Sequence, residues 1–303
     1  MEILITGGTG FIGRFLIPEL ARGGHHVTVL TRRPPAPSSD GAVDWLAWDA
    51  ETAAGWGTHL EQTDAIINLA GENIGARRWT AGQKQRILDS RMKAGQAIVE
   101  AVERSAHKPA VLLQSSAVGY YGALDERAVN EEAPPGKDYL AQVAVAWEES
   151  TRAVETQGVR RIRLRSGLVL ARQGGSFPRM LLPFQLFAGG PLGRGNQYWS
   201  WIHMLDEVRA IRFLLEHPQA EGAYNLTGPE PVPMRHFGRA LARDFHRPYW
   251  LPAPAWALQV LLGEMSLLVL EGQRVLPERL LALGFAFHFP SIEEALADLA
   301  RPN

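Results

Sequence analysis

The glycine residues near the start of the chain are the clearest candidates for chemistry. Residues 3–13 form an apolar strand that runs into a G-x-G-x-x-G turn made by Gly8, Gly10 and Gly13. In such a turn the first glycine makes the bend, the second lets the backbone approach a pyrophosphate, and the third lets helix and strand pack closely. The helix predicted over 14–22 would point its amides and its positive dipole end at the anion. The spacing therefore predicts a dinucleotide site, whereas a tight glycine turn without a ligand is the alternative.

The end of the second predicted strand, over 26–30, indicates which dinucleotide binds. A carboxylate at this point accepts from the ribose 2′-hydroxyl of NAD, whereas an arginine accommodates the 2′-phosphate of NADP. The chain has Thr31, Arg32, Arg33 and Pro34 there, with no carboxylate nearby. Because a guanidinium binds phosphate through two hydrogen bonds, the sequence predicts NADP. A solvated basic pair before a proline-rich loop is the alternative.

Short apolar strands alternate with helical patterns along most of the chain, which is typical of an α/β fold of the Rossmann type, with a doubly wound parallel sheet. Strands are predicted over 2–6, 26–30, 43–47, 64–69, 110–115, 160–165 and 223–226. Helices are predicted over 12–22, 80–104, 138–157, 205–216 and 291–299. We therefore predict an NADP-binding domain over 1–172, completed by about 200–228, and a smaller, mostly helical C-terminal substrate-binding part over 173–199 and 229–303.

The composition excludes several kinds of site. Lys and Arg total 31 against 32 for Asp and Glu, which leaves no excess charge to attract nucleic acid or anionic lipid. There is no cysteine, so disulfides, thiolate nucleophiles and cysteine-ligated metals are ruled out. The nine histidines are scattered, and we expect no metal site.

The start of the chain and its most apolar stretch indicate where in the cell the protein is expected. The first predicted strand begins at Glu2, which leaves no room for a signal peptide. The stretch 256–270 is interrupted by polar residues and is too short to cross a bilayer. We therefore expect a cytoplasmic protein that acts on a small molecule as a monomer or homodimer, without nucleic acid or membrane partners.

Several motifs occur in the order found in the extended short-chain dehydrogenases. They are Gly7 to Gly13, Asn68-Leu69-Ala70-Gly71, Ser115-Ser116 followed by Tyr121-Gly122, Arg165-Ser166-Gly167-Leu168-Val169, Ile202-His203 and Tyr224-Asn225. Three blocks, 68–74, 200–203 and 270–277, resemble an atypical branch whose members are called epimerase family proteins or nucleoside-diphosphate-sugar epimerases. The resemblance covers nearly the whole chain and implies hydride transfer between a nicotinamide cofactor and a carbonyl or alcohol.

The chain departs from this family at the residues that move protons. In the family a Tyr-x-x-x-Lys pair does this work, because the ammonium lowers the pKa of the tyrosine and holds the ribose. Here Tyr139 is followed four residues later by Val143, and the next register pairs Leu140 with Ala144. Tyr139 could still donate a hydrogen bond to a substrate, or it could be an ordinary half-buried helix residue.

The resemblance leaves the position of the catalytic serine open. Counting from the fifth strand selects Ser115 or Ser116, whereas counting back from Tyr121 selects Ala117. We choose Ser116 as the hydroxyl that polarises a carbonyl. Tyr120 and Tyr121 follow on a loop at the carboxyl edge of the sheet, where ligands bind in such folds. Each could face the nicotinamide or pack beneath the next loop, and both are catalytic candidates.

The same resemblance implies a set of cofactor contacts. The pyrophosphate is expected against the glycine-rich turn, and the adenosine ribose near the end of the fourth strand. Arg91, on the long second helix, could compensate for the missing lysine or could be an exposed helix residue. Asp49 is a candidate for the adenine edge, and Val169 should border the nicotinamide. The expected contacts are Gly7, Thr9, Gly10, Phe11, Ile12, Gly13, Thr31, Arg32, Arg33, Asp49, Leu69, Ala70, Gly71, Arg91, Ser115 and Val169.

The residues expected near the substrate also depart from the family. Relatives that use nucleotide sugars often carry an arginine two residues before an aromatic-Ile-His block, where it binds the diphosphate. Trp199 stands at that place here, and its apolar face suits a flat or less charged ligand. Arg179, Arg194 or Arg274 could supply the charge instead. His203 is expected to be structural.

These residues together predict an NADP-dependent oxidoreductase or epimerase-like enzyme acting on a small, sugar-like or aromatic substrate. The alternative is a non-catalytic NADPH sensor or scaffold, which has kept the dinucleotide site and lost the tyrosine–lysine pair. The two differ in whether a hydroxyl remains available to a substrate beside the nicotinamide.

Overall fold

Seven parallel strands form the central sheet of the computed structural model, which describes residues 1–35 and 43–301. The strands of the described chain are β1 (Glu2–Thr6), β2 (His26–Thr31), β3 (Val43–Ala47), β4 (Ala65–Asn68), β5 (Val111–Ala117), β6 (Ala128–Val129), β7 (Arg160–Ser166), β8 (Leu168–Leu170), β9 (Tyr198–Trp199), β10 (Trp201–His203), β11 (Gly222–Leu226), β12 (Val232–Pro233) and β13 (Arg274–Val275). The order across the large sheet is β11-β7-β5-β4-β1-β2-β3. The chain thus winds outward from β1 in both directions, which confirms the predicted doubly wound α/β fold.

Helices cover the sheet and make up most of the C-terminal part. They are α1 (Gly13–Arg22), α2 (Ala81–Arg104), α3 (Tyr139–Glu149), α4 (Phe177–Gln185), α5 (Met204–Glu216), α6 (Met234–Asp244), α7 (Ala255–Leu262), α8 (Leu267–Leu270), α9 (Glu278–Ala282) and α10 (Ile292–Ala300). Short 3₁₀ turns occupy 57–62, 118–121, 152–157 and 263–266. Within residues 1–35 and 43–301, none of these helices has the length and apolar character needed to cross a membrane.

The core follows from the two-residue period of the strands. On β1, Ile3 and Ile5 point to a cluster shared with α1 and α5, whereas Leu4 points to a second cluster shared with α2. Both faces of the sheet are therefore buried, as expected for a parallel sheet. A third cluster joins α4, α6 and α10 through large side chains such as Phe177, Trp201, Phe237 and Leu296, and gives the C-terminal part its own core.

Two elements differ from the sequence prediction. The helix predicted over 138–157 ends at Glu149 and continues as a 3₁₀ turn over 152–157. The hydroxyl of Ser150 donates to the carbonyl of Trp147, at 2.7 Å, and such a local bond competes with helical pairing. No helix was predicted over 177–185, because Pro183 lies inside α4, where proline normally interrupts a helix.

Candidate functional site

The glycine-rich turn between β1 and α1 is held close to the end of β4. Gly7 takes the left-handed conformation, with φ of +68°, and a β-carbon there would lie 2.6 Å from the carbonyl carbon of Leu69. A β-carbon on Gly13 would lie 2.4 Å from the carbonyl oxygen of Gly8. Gly7 thus makes the sharp bend, and Gly13 allows the start of α1 to pack against the turn.

The middle of the turn is open to a ligand. A β-carbon on Gly10 would meet only the carbonyl oxygen of Gly7, at 3.0 Å. In residues 1–35 and 43–301, the backbone amides of Phe11 and Ile12 have no hydrogen-bond partner, and the first turn of α1 has no side-chain cap. Free amides at the positive end of a helix form a site for a pyrophosphate.

A segment distant in sequence, which follows β8, contacts this turn. The guanidinium of Arg14 donates to the carbonyl of Gln173, at 2.6 Å. Gly174 and Gly175 have positive φ angles, and a β-carbon on Gly175 would lie 2.5 Å from the ring of Phe11. We call residues 173–175 the strap. Sequence reasoning missed the strap, although the adjacent glycines after β8 were a signal that the backbone comes close to another element.

The end of β2 presents the two predicted arginines. Residues Thr6 and Leu30 pair across β1 and β2, so the turn and the end of β2 leave the same edge of the sheet. Arg32 and Arg33 are exposed, and within the described chain their side chains make no hydrogen bond or ion pair. The hydroxyl of Thr31 accepts from the amide of Arg33, at 3.3 Å.

Asp49, predicted at the adenine edge, uses its carboxylate locally. The carboxylate accepts from the amides of Glu51 and Thr52 and from the Thr52 hydroxyl, at 2.7–2.8 Å. These bonds, led by that from the Thr52 amide, lower the pKa of Asp49. Its carboxylate therefore shapes the turn that follows β3.

The end of β4 is fixed by a buried polar network. Asn68 accepts from the hydroxyl of Thr6, at 2.6 Å, and donates to Gln114, at 2.9 Å. It also accepts from the amide of Ala70, at 3.2 Å, which orients the backbone of 69–71 beside Gly7. The structure thus brings the predicted ribose-contacting segment against the glycine-rich turn. Asn68 belongs to the Asn68-Leu69-Ala70-Gly71 motif, but no role was predicted for it from the sequence. Its place at the end of a buried strand was the signal that it could have one.

Arg91 lies in the interior. Its side chain is 7% exposed and donates to the carbonyls of Ile87, at 2.8 Å, and Glu72, at 3.1 Å. It packs 4.5 Å from the ring centroid of Trp147 and close to Gly71. Burial lowers the pKa of Arg91 to about 10, so the side chain is still charged at neutral pH. This burial rules out the alternative of an exposed helix arginine.

Tyr139, the first residue of α3, has a hydrogen-bonded hydroxyl. The hydroxyl donates to the carbonyl of Lys84, at 3.1 Å, and the ring packs edge-on against Trp79. Burial raises the pKa of Tyr139, and the nearby charge of Arg91 only partly opposes that effect. The phenol is therefore a poor base at neutral pH, as expected without the lysine.

Ser116 and Tyr121 belong to a buried network around one ion pair. Arg165 and Glu148 form that pair at 2.8 Å, and both side chains are 3% exposed. Ser116 donates its hydroxyl to Glu148, at 2.7 Å. The hydroxyl of Tyr121 donates to Asn225, at 2.7 Å, and accepts from Arg165, at 2.9 Å. Burial raises the pKa of Tyr121.

Two further candidate catalytic residues have hydroxyls without a hydrogen-bond partner among the described residues. Within the described residues, the hydroxyls of Tyr120 and Ser115 make no hydrogen bond to the protein. The Tyr120 ring stacks on the guanidinium of Arg165, 3.4 Å from its centroid, and the side chain is half-buried. Ser115 is 7% exposed at the end of β5. Tyr120 is thus the one predicted catalytic tyrosine whose hydroxyl is not already bonded within this part of the chain.

The remaining predicted residues lie around β8 and β10. Val169 pairs with Ile202 across these two strands. His203 accepts from the amide of Leu205 and so caps α5, at 3.2 Å, and its burial lowers its pKa. Trp199 is 7% exposed and packs on Phe237.

Of the arginines named for the substrate, Arg179 donates to the carbonyl of Gly75, at 2.6 Å, and Arg274 stacks on Tyr198. No group of three or more potential metal ligands occurs among the residues that the structure describes.

Comparison with known proteins places this site in a family. The profile of the NAD dependent epimerase/dehydratase family matches residues 3–227, and a domain of unknown function, DUF1731, matches residues 253–299. Epimerase family protein YfhF of Bacillus subtilis (strain 168) is 40% identical over 300 residues, which are 99% of this chain and 98% of that protein. The chain therefore belongs to the NAD dependent epimerase/dehydratase family, in which NAD(P)-dependent chemistry is the rule.

Solved structures of several other proteins are similar over nearly the whole chain. Human epimerase family protein SDR39U1, solved with NADPH, is 33% identical with a TM-score of 0.90, and 99% of each chain is covered. A nucleoside-diphosphate sugar epimerase from Corynebacterium glutamicum is 28% identical with a TM-score of 0.78; the match covers 99% of this chain and 58% of that one. UDP-glucuronic acid 4-epimerase from Bacillus cereus, solved with NAD, is 17% identical and shares the fold.

Proposed function

We propose that this protein binds NADP at the glycine-rich turn and transfers a hydride between the nicotinamide and a carbonyl or alcohol of a small substrate. Transfer of a hydride and a proton to a carbonyl gives an alcohol and oxidised cofactor; the reverse step followed by reduction on the other face gives an epimer. The observation that carries the proposal is the exposed pair Arg32 and Arg33 beside a turn with free amides. The human relative solved with NADPH supports the same cofactor.

We assign to Tyr120 the role of hydrogen-bonding the substrate oxygen. Its hydroxyl has no protein partner in the described residues, and Arg165 stacks on its ring. The guanidinium of Arg165 lies 3.4 Å from the centroid of the Tyr120 ring and so fixes the ring beside the end of β5. Ser115 is the second candidate, because its hydroxyl is also unengaged within the described chain at the carboxyl end of β5.

The substrate we propose is flat or only weakly charged. Trp199 stands where an arginine would bind a diphosphate. Arg179 and Arg274 already contact a backbone carbonyl and an aromatic ring, whereas Arg194 is exposed and its side chain makes no hydrogen bond within the described residues. Trp199 is itself 7% exposed and packs on Phe237, so it supplies no charge for a phosphate. A sugar-like or aromatic carbonyl compound therefore fits better than a nucleoside diphosphate.

A specific observation favours a second function, that of an NADPH sensor or scaffold. The hydroxyls of Ser116, Tyr121 and Tyr139 are all hydrogen-bonded to protein atoms. No lysine follows Tyr139 at the spacing that would activate it. A protein that keeps the cofactor and satisfies these hydroxyls internally could signal through NADPH binding alone.

One experiment separates the two functions. Purified protein is incubated with NADPH and a panel of aldehydes, ketones and keto-sugars, and NADPH oxidation is followed by absorbance. Turnover of at least one compound, lost in Tyr120→Phe while calorimetry still shows NADPH binding, is the expected result. NADPH binding without turnover across the panel would favour the sensor. Absence of NADPH binding would refute both functions.

A further inference from the structure

A crevice lies at the carboxyl edge of the sheet, where the strand order reverses. In the large sheet β2 and β3 follow β1 on one side, and β4, β5, β7 and β11 follow it on the other. The connection after β1 leads to α1, which packs on one face of the sheet, whereas the connection after β4 leads to α2 on the opposite face. Connections that leave in opposite directions open a crevice between them, in which folds of this kind bind their ligands.

One segment contacts both walls of this crevice. On the β1 wall, Arg14 donates to the carbonyl of Gln173, at 2.6 Å, and the strap lies against the glycine-rich turn. On the β4 wall, Arg179 in the first turn of α4 donates to the carbonyl of Gly75, at 2.6 Å. We call these two hydrogen bonds the tethers and residues 173–179 the bridge, because this segment joins the two walls.

The middle of the bridge can move while its ends stay fixed. Ala171 is 5% exposed in the core shared with α1 and α5, and Phe177 is fully buried in the core of the C-terminal part. The chain between these two anchors, 172–176, is exposed or half-buried. It contains Gly174 and Gly175, both with positive φ, and glycine has the widest choice of backbone conformations. The strap can therefore lift from the turn without disturbing either core.

The tethers suit a closure that opens reversibly. A guanidinium is a stronger donor to a carbonyl than a neutral group is, so each tether holds the bridge in place. Both Arg14 and Arg179 are exposed, so each can exchange its carbonyl for water without leaving a buried group unpaired. Loops held in this way open and close on a timescale of roughly microseconds to milliseconds.

The proposed cofactor and the bridge run in different directions. The 2′-phosphate is assigned to Arg32 at the end of β2, and the nicotinamide to the side of Tyr120, after β5. The strands β2 and β5 lie on opposite sides of the β1–β4 pair, three strand spacings or about 14–15 Å apart. The bridge instead joins the connection that leads to one face of the sheet with the connection that leads to the other. It therefore crosses the cofactor between its two ends, near the free amides of Phe11 and Ile12.

We infer that the bridge gates the cofactor site, so that NADP enters and leaves only when the tethers between Arg14 and Gln173 and between Arg179 and Gly75 open. The inference rests on the proposed function, because it takes NADP as the occupant of the crevice. A gate changes association and release together, since both need the same opening. In net oxidoreduction the cofactor leaves in every cycle, so the gate would limit turnover, whereas epimerisation regenerates the cofactor in place.

Stopped-flow fluorescence of NADPH tests the inference. Association is followed after mixing with the free protein, and release after mixing the complex with excess NADP. Arg14→Met and Arg179→Met each remove one tether, and the double variant should release and bind NADPH about tenfold faster or more. The matched control is Arg77→Met, which removes an exposed charge from the same loop as Gly75 and breaks no hydrogen bond in the described chain. Its two rates should equal those of the parent.

The outcomes separate the gate from the proposed function. Double-variant rates equal to those of the control would overturn the gate alone. Faster release with unchanged association would also overturn it, because the arginines would then contact the bound cofactor directly. A parent that binds neither NADPH nor NADH would refute the proposed function and the gate together. Because both arginines are exposed, thermal unfolding of the variants should match that of the parent.

A reversible crosslink gives an independent readout, because the chain contains no cysteine. A β-carbon on Gly75 would meet only side-chain atoms of Asn73 and Arg179, at 3.5 and 3.6 Å, so a cysteine fits there. The variant Gly75→Cys with Arg179→Cys lacks one tether and should release NADPH faster than the parent. A short bismaleimide with an internal disulfide, added to the NADPH complex, should slow release about tenfold or more, and a reductant should reverse the effect. Equal release from linked and unlinked protein would overturn the gate.

Discussion

Arg32 and Arg33 are the residues on which the proposed preference for NADP rests. Both are exposed at the end of β2, and no carboxylate stands beside them in the sequence to accept from a ribose hydroxyl. A 2′-phosphate gives these guanidinium groups a partner that NADH lacks. The preference should therefore reside in one or two side chains, with little contribution from the rest of the site.

The first prediction is that the unmodified protein binds NADPH at least tenfold more tightly than NADH, a difference of about 1.4 kcal/mol. Arg32→Ala should remove most of this difference by weakening NADPH binding alone, because NADH makes no contact that needs the charge. Calorimetry with both cofactors measures the four affinities. Equal affinities of the unmodified protein for NADPH and NADH would show that the arginines do not bind the 2′-phosphate.

The second prediction contrasts two neighbouring tyrosines. Tyr121→Phe removes the buried donor to the side-chain oxygen of Asn225 and one of the acceptors of Arg165, which keeps its ion pair with Glu148, so it should lower the free energy of unfolding by about 1–3 kcal/mol. Tyr120→Phe removes a hydroxyl that has no bond to the described protein, so stability should change little while turnover falls. Urea unfolding and NADPH oxidation measure the two effects. A stable Tyr121→Phe variant without activity would instead make Tyr121 the catalytic group.

The sequence indicates which residues are candidates for the site, but not the hydrogen bonds that these residues form. The glycines and arginines were identified because their roles depend on backbone geometry and charge. Ser116 and Tyr121 could not be recognised as members of a buried network, because Glu148 and Asn225 are distant in sequence and reach them only through the fold. The burial of Arg91 depends in the same way on packing between α2 and α3.

At the scale of elements, two glycines of the turn between β1 and α1 have different roles. Gly13 is in contact with the backbone of Gly8 and serves packing, whereas a β-carbon on Gly10 would meet only the carbonyl oxygen of Gly7, at 3.0 Å, and we propose that Gly10 serves the ligand. The strand, turn and helix were all predictable because their signal is local. The strap and the end of α3 were not, since the contact of Gly175 with Phe11 and the hydrogen bond of Ser150 depend on geometry that spacing does not reveal.

The third prediction separates these two functions. Gly10→Ala should reduce NADPH affinity at least tenfold, or about 1.4 kcal/mol, and should lower the melting temperature of the free protein less than Gly13→Ala does, because its β-carbon would meet only the Gly7 carbonyl oxygen, at 3.0 Å. Gly13→Ala should lower that melting temperature, because its β-carbon would lie 2.4 Å from the Gly8 carbonyl oxygen. Calorimetric binding and thermal unfolding of both variants provide the comparison. Loss of stability in Gly10→Ala with normal NADPH affinity would mean that the phosphate turn is misassigned.

At the scale of the whole molecule, one buried carboxyl links stability to pH. Glu207, on α5, is fully buried and accepts a single hydrogen bond, from the hydroxyl of Ser166 at 2.6 Å. Burial raises the pKa of Glu207 to about 8, so the group is largely protonated at neutral pH. The folded state therefore holds a proton that the unfolded chain releases at its ordinary pKa of 4.5.

The fourth prediction follows from the sign of this shift. Between pH 4.5 and about 8 the folded state binds more protons, so the contribution of Glu207 to stability falls as pH rises, by up to 1.4 kcal/mol per pH unit, and levels off above about 8. Glu207→Gln keeps the oxygen that accepts from Ser166 and cannot ionise. Urea unfolding at several pH values should show that the free energy of unfolding of the variant rises relative to that of the parent as the pH increases from 4.5 to about 8. A constant difference would contradict the prediction.

The position of β11 at the outer edge of β7 has a consequence for synthesis on the ribosome. Residues 222–226 complete the sheet, yet all of 167–221 must be translated after β7 before they emerge. Until then, the nascent chain carries an open strand edge whose amides and carbonyls can pair with other chains. The sheet of the cofactor-binding half can therefore be completed only after residues 167–221 have been translated, whereas residues 229–303 of the C-terminal part are translated later still.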